Sequence, residues 1–233
     1  MTLLWLVVLM GVWMSVQVAF LLVFLAIEGG SMNPDRLPQR LEDIAMDGDF
    51  LGLATVLTAA VICPLCLLLG KIKRGFTGTG YLALGSPRLR PVLAWSVVVL
   101  VVGLLFNLAA PAMGVDETPE FMLDIVRSTD WPVFLLVGVV AGAPLLEEFI
   151  FRGLLFRGWR VSALGVWGTI IVTSLLWTLM HAAQYEFAIL AHIFLLGILL
   201  GYARERTGNL WIPIAMHAAN NAFASIESMR LAG

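Results

Sequence analysis

From Met1 to Ile27 the chain carries no charged side chain. A helix over that run is longer than the ~20 apolar residues that cross a bilayer. Uncharged apolar runs recur to the end of the chain, with 60% hydrophobic and only 13% charged residues overall. A soluble globule could not cover that much apolar surface, so the expected fold is all-α: a polytopic membrane helix bundle. The first run is too long for a signal-peptide core and has no basic residues ahead of it, so it is expected to be a retained span rather than a cleaved leader. The formal net charge is −2, and neither a basic block nor a Gly-rich phosphate loop is present, which argues against nucleic acid as a partner.

About seven transmembrane helices can be drawn: Leu3–Ile27, Leu51–Gly70, Pro91–Ala112, Pro132–Arg157, Leu164–Ala183, Phe187–Ala203 and Leu210–Ser228. Pro144 is expected to kink the fourth by removing the helical partner of the Val140 carbonyl. The chain is expected to divide into amino-terminal helices and loops over residues 1–130 and a core over 131–233 that holds the polar residues considered next, as one integral membrane unit. Loop charge alternates. Lys71, Lys73, Arg74, Arg88, Arg90, Arg157, Arg160, Arg204 and Arg206 fall on one side. Glu28, Asp35, Glu42, Asp43, Asp47, Asp49, Asp116, Glu117, Glu120, Asp124 and Asp130 fall on the other. By the positive-inside rule the amino terminus is expected in the cytoplasm, most simply at a plasma or inner membrane. Leu37, Leu41 and Ile44 form a short amphipathic stripe in the first connection, compatible with an interfacial helix.

Inside the apolar runs stand residues a bilayer excludes unless they have work to do. Glu147 and Glu148 are adjacent in the fourth expected span, with Arg152 one turn beyond. His181 falls in the fifth, and His217 with Asn221 one turn on in the seventh. Counting from the basic loops at about 1.5 Å per residue puts Glu147 and His217 both roughly 15 Å inside the interface. His181 matches that depth across the hairpin of the fourth and fifth spans. A shared site in the bilayer, built from the fourth, fifth and seventh helices, is therefore expected. Glu148 and Arg152 share a helix face. Glu147 points about 100° away, so the two acids should divide the work: Glu148 held by Arg152, Glu147 turned toward the two histidines.

Desolvation and mutual repulsion keep two neighbouring carboxylates from ionising alike. With Arg152 fixing one, the other suits a general base on water. His181 can share that water or carry its proton to a leaving amine, while His217 and Asn221 offer donors to an oxyanion. The implied reaction is hydrolysis of a peptide bond. No Ser or Cys stands out as a nucleophile. Glu147, His181 and His217 could also hold zinc, although they lack the spacing of a one-helix zinc signature, and the water mechanism needs no cofactor. His192 has no motif partner and is read as packing or as a residue supporting those at the site. Cys63 and Cys66 are read as small apolar residues beside a helix kink rather than a redox pair.

Glu147-Glu148-x-x-x-Arg152, Trp177-x-x-x-His181 and His217-x-x-x-Asn221, in that order, resemble the three motifs of the CPBP family. These are the CAAX prenyl endopeptidase and bacteriocin-processing (Abi-like) intramembrane proteases. Ala143-Pro144 before the glutamates, Gly153 after Arg152, and Trp211-x-Pro213 before the last histidine fit the resemblance, which covers roughly Asp130 to the end. The second motif usually begins with Phe, where this chain has Trp177. The resemblance implies a membrane peptidase acting on a protein or peptide substrate at the bilayer. Residues matching Glu147 and His181 would activate water, and those matching His217 and Asn221 would stabilise the transition state. A catalytically silent scaffold or immunity factor, and a proton-coupled transporter using the same glutamates, are the competing expectations.

Overall fold

The structure is a computed structural model describing residues 2–27, 35–115 and 118–232. Glu28, Asp116 and Glu117, counted above among the acidic loop residues, lie outside them. Every regular element among the described residues is helical. In chain order these are α1 (Thr2–Ile27), α2 (Leu37–Ala45), α3 (Gly48–Ile72), α4 (Gly78–Leu82), α5 (Leu89–Ala109, closed by a 3₁₀ turn Ala110–Met113) and α6 (Glu120–Arg127). The composite helix α7 (Pro132–Trp159) follows, then α8 (Gly165–Leu179), α9 (Phe187–Thr207) and α10 (Trp211–Ala232).

The expectation of about seven spans is corrected. Five helices among the described residues are long and apolar enough to cross a membrane: Thr2–Ile27, Gly48–Ile72, Leu89–Met113, Pro132–Trp159 and Phe187–Thr207. The expected span Leu164–Ala183 fails on length. Its helix has 15 residues and ends at Leu179, about 22 Å against a hydrocarbon core of about 30 Å. The expected span Leu210–Ser228 fails on composition. Its helix has 22 residues but carries His217, Asn220, Asn221, Ser225, Glu227, Ser228 and Arg230. Apolar runs alone did not distinguish a helix that faces lipid from one that is sheltered by others. The described residues form an integral multi-pass, all-α membrane bundle with five such spans.

Helix α7 runs through the middle. Ile150, Phe151, Leu154, Leu155 and Phe156 are almost wholly buried there. Its start is caught by Asp49 of α3, whose carboxylate accepts from the Thr129 hydroxyl at 2.6 Å and from the Asp130 and Trp131 amides at 3.1 Å. Higher up, α3 and α7 touch backbone to backbone. A Cβ on Gly52 would meet the Phe134 carbonyl oxygen at 2.3 Å, and one on Gly138 would meet the Gly52 Cα at 2.5 Å. Only two facing glycines allow that approach, which fixes where α7 presents its acids. Helices α8 and α9 pack together, and α10 lies against α5. Gly197 and Gly201 of α9 face α8, where Ser174 and Ile170 occupy the space a side chain would need. Cys63 and Cys66 are free thiols within α3, the latter fully buried in the core.

Candidate active site

The continuity of α7 hides two changes of register. Residues Val137–Gly142 and Phe149–Leu155 are π-helical, flanking the α-helical turn Ala143–Glu148. In π register an amide reaches the carbonyl five residues back, so the N–H that Pro144 lacks would have gone to Val139, not to Val140 as expected from an α-helix. Asn221 takes that vacancy: its side-chain amide donates to the Val139 carbonyl at 3.0 Å. A proline in one helix and an amide in another thus satisfy a single distortion, one turn before the glutamates.

The second acid is an anchor. Glu148 and Arg152 are fully buried and pair at 3.1 Å. Arg152 also donates to the Gly197 carbonyl at 3.1 Å and lies over the Trp177 ring. A Cβ at Gly197 would stand 3.2 Å from that guanidinium, so glycine there clears its path. The same Glu148 oxygen also meets Nδ1 of His217 at 3.2 Å. A carboxylate only accepts, so the ring donates from Nδ1 and its Nε2 is the free nitrogen.

Nε2 of His217 stands 3.9 Å from Oε2 of Glu147. Glu147 in turn accepts a hydrogen bond from the indole N–H of Trp177. The acids therefore do divide, but both through His217: Glu148 behind the ring, Glu147 in front. His181 is arranged differently. It lies in the turn beyond α8, and its Nδ1 donates to the Trp177 carbonyl at 2.9 Å. Its ring meets Trp177 edge-on and lies nearly parallel to Tyr185. The sequence expectation that Glu147 would turn to both histidines is met by a contact with His217 only.

Glu147, His181, His217 and Asn221 all line one cavity of about 790 Å³, whose other walls include Met10, Trp13, Phe106, Phe121, Met122 and Ile189. Glu148 and Arg152 stand behind its wall. His192 reaches the cavity too, stacked on Phe106 with ring centroids 4.0 Å apart.

Four residues were given no role at the site by the sequence, although Trp177 opens the second motif. Trp177 is the hub: its ring meets both histidines with centroids 5.3 Å away, carries Arg152 on its face, and donates to Glu147. A buried indole needs an acceptor, and Trp177 lies one turn before His181, which is the signal that could have found it. Tyr185 follows α8 in irregular chain. Burial, and then the charge of Glu147, push its phenol up to about 12, so it stays a neutral donor at the cavity. Glu227 and Asn107 pair at 2.7 Å across α10 and α5 on the same cavity.

Zinc fits poorly. Among the described residues no three His, Cys, Asp or Glu side chains are grouped to hold a metal ion. The Glu147 oxygen nearest His217 already accepts from the Trp177 indole.

Fold and site together define a multi-pass membrane protein in which one buried acid, Glu147, and the His217 imidazole line a single cavity. Residues 129–223, which carry both glutamates, His181, His217 and Asn221, match the family described as Type II CAAX prenyl endopeptidase Rce1-like. An Escherichia coli protein of 24.3 kDa, named as uncharacterized, is 30% identical over 130 residues, covering 54% of this chain and 58% of that one. YdiL of Bacillus subtilis, named as a candidate membrane peptidase, is 27% identical over 117 residues, covering 49% of this chain and 44% of its own. The membrane-embedded CAAX protease MroQ of Staphylococcus aureus is 28% identical over 134 residues, covering 54% and 51%. The chain spans about half the length of the curated relatives it matches. No solved structure matches it. Residues 129–223 are thus similar to CAAX/Rce1-like membrane peptidases, the stretch that carries all of the site's motifs.

Proposed function

We propose that the chain is an intramembrane endopeptidase that hydrolyses a peptide bond of a membrane-associated protein or peptide with activated water. The observation that carries this reading is the pair Glu147–His217 at 3.9 Å on the cavity wall, backed by Glu148 and Arg152. A water between Glu147 and the scissile carbonyl would lose its proton to Glu147. His181 has its Nδ1 proton committed to the Trp177 carbonyl, so its Nε2 is an acceptor that can share this water and pass the proton to the leaving amine. His217, taking its Nε2 proton from solvent before substrate enters, is a donor beside the developing oxyanion, its position set by Glu148. An amide nitrogen carries two hydrogens. One of Asn221's is held by Val139, which leaves the other for the same oxyanion. Trp177 orients the Glu147 carboxylate. The apolar walls suit an apolar peptide segment entering from the bilayer, and the name of the MroQ relative supports a carboxyl-terminal substrate of the CAAX kind.

The same proposal extends to orientation. Thr2 of α1 faces Gly158, and Lys73 lies over the Trp5 ring, so the start of α1 joins the basic ends of α3 and α7. By the positive-inside rule that end faces the cytoplasm.

The test is cleavage of a membrane-anchored peptide library in proteoliposomes, with and without chelator. Product formation that disappears in Glu147→Gln supports the reading. Peptide binding without any product would replace it with a silent scaffold, and solute uptake driven by a pH gradient would replace it with a transporter.

A further inference from the structure

At the basic end of the bundle, away from the cavity, three guanidinium groups gather without the acids to match them. Arg157, Arg160 and Arg204 line a small space of about 90 Å³, with Glu205 the one carboxylate in its lining. Glu205 is committed to Arg160 at 2.6 Å. Arg204 is only 4% exposed. Its Nε donates to the Arg152 carbonyl at 3.1 Å, and its two terminal nitrogens have no acceptor among the described residues. Its guanidinium lies 5.6 Å from the Phe156 ring, a face that takes the cation without accepting its hydrogens in line. The Nε of Arg160 is buried without a partner. Arg157 has no ion pair among the described residues and lies over Phe76. A cation as buried as Arg204, facing two more, is an expensive arrangement unless an anion shares the space.

We propose that Arg157, Arg160 and Arg204 form a binding site for a phosphate group. The space has room for about three waters, which suits one tetrahedral group. Guanidinium forks match phosphate oxygens in pairs, and three cations against one carboxylate leave a charge that a phosphate monoanion or dianion offsets. Because the site sits where helices α7 and α9 end, the phosphate can come from a phospholipid headgroup or from free phosphate in solution. Binding ties Arg204 in place, and with it the contact of α9 to the Arg152 backbone.

The experiment uses the full chain and reads thermal unfolding. In detergent, inorganic phosphate is titrated against chloride at matched ionic strength. In nanodiscs, phosphatidylglycerol is compared with a galactolipid, which carries no phosphate. A rise of about 3–5 °C in either arm supports the site. A rise with free phosphate identifies a soluble anion. A rise with phosphatidylglycerol alone identifies a headgroup. Arg157→Gln should weaken the response roughly tenfold in the concentration needed, while Glu205→Gln, which removes the competing carboxylate, should strengthen it. Arg88→Gln, exposed at the same end, should leave it unchanged. No stabilisation by either anion overturns the proposal, as does an equal response in Arg157→Gln and Arg88→Gln.

Discussion

Glu148 and His217, 69 residues apart in the chain, meet at 3.2 Å, carboxylate Oε1 against ring Nδ1. That contact decides which nitrogen of the ring is free, and so which acid His217 can work with. It makes Glu148 a fixed part of the scaffold and leaves Glu147 as the acid that fronts the cavity. The two glutamates are neighbours in sequence and unlike in role, because Arg152 and His217 both bind the same one.

Glu147→Gln keeps an oxygen that can accept from Trp177 but removes the base. Peptide cleavage should fall by at least about 100-fold with the fold intact. Initial rates in proteoliposomes, alongside thermal unfolding of the same preparation, check both halves. Turnover near that of the parent chain would remove Glu147 from the mechanism.

Arg152→Ala strands a fully buried carboxylate and should destabilise the protein by about 3–5 kcal/mol. Neutralising the partner as well, in Glu148→Gln with Arg152→Met, should recover much of that loss, though not activity, since His217 loses its anchor. If the single and double variants unfold at the same temperature, the pairing carries little of the stability.

Asn221→Ala leaves the Val139 carbonyl without its donor, an expected loss of about 1–3 kcal/mol. Pro144→Ala restores a backbone N–H in register with that carbonyl. The double variant should therefore be more stable than Asn221→Ala alone. A double-mutant cycle in detergent measures the coupling, and purely additive effects would break the link between the proline and the amide.

Trp177→Phe retains the ring that meets both histidines and Arg152 but deletes the N–H on Glu147. A drop in kcat of no more than about tenfold is expected, since only one hydrogen bond is lost. Trp177→Ala also removes the ring and should lose about 3–5 kcal/mol of stability. Equal stability in the two variants would mean that the indole is not packed as described.

Much of the site could be read along the chain because its spacing is helical. Glu148 and Arg152, one turn apart, share a face in any helix, and they pair. Less visible was everything set by contacts between helices. Nothing in the spacing of Trp177 says that its N–H ends on Glu147. The depth argument brought His181 level with Glu147, but α8 stops at Leu179, so His181 sits in a turn and its ring answers to the Trp177 backbone. The span count failed for a related reason. A run such as that of α8 is apolar whether it faces lipid or other helices, and only length and packing tell the two apart.

The sequence by itself determined that this chain is a helical membrane protein, that ionisable groups lie within its apolar runs, and which motifs they form. Composition and periodicity are local properties, and bilayer burial of bare backbone leaves helices as the solution. Only the tertiary structure decided the number of spans, the split between the two glutamates, the π register relieved by Asn221, and the three arginines closing on one small space. Each depends on which side chains from distant segments arrive at the same point, and spacing along one helix holds no information about the helix it packs against.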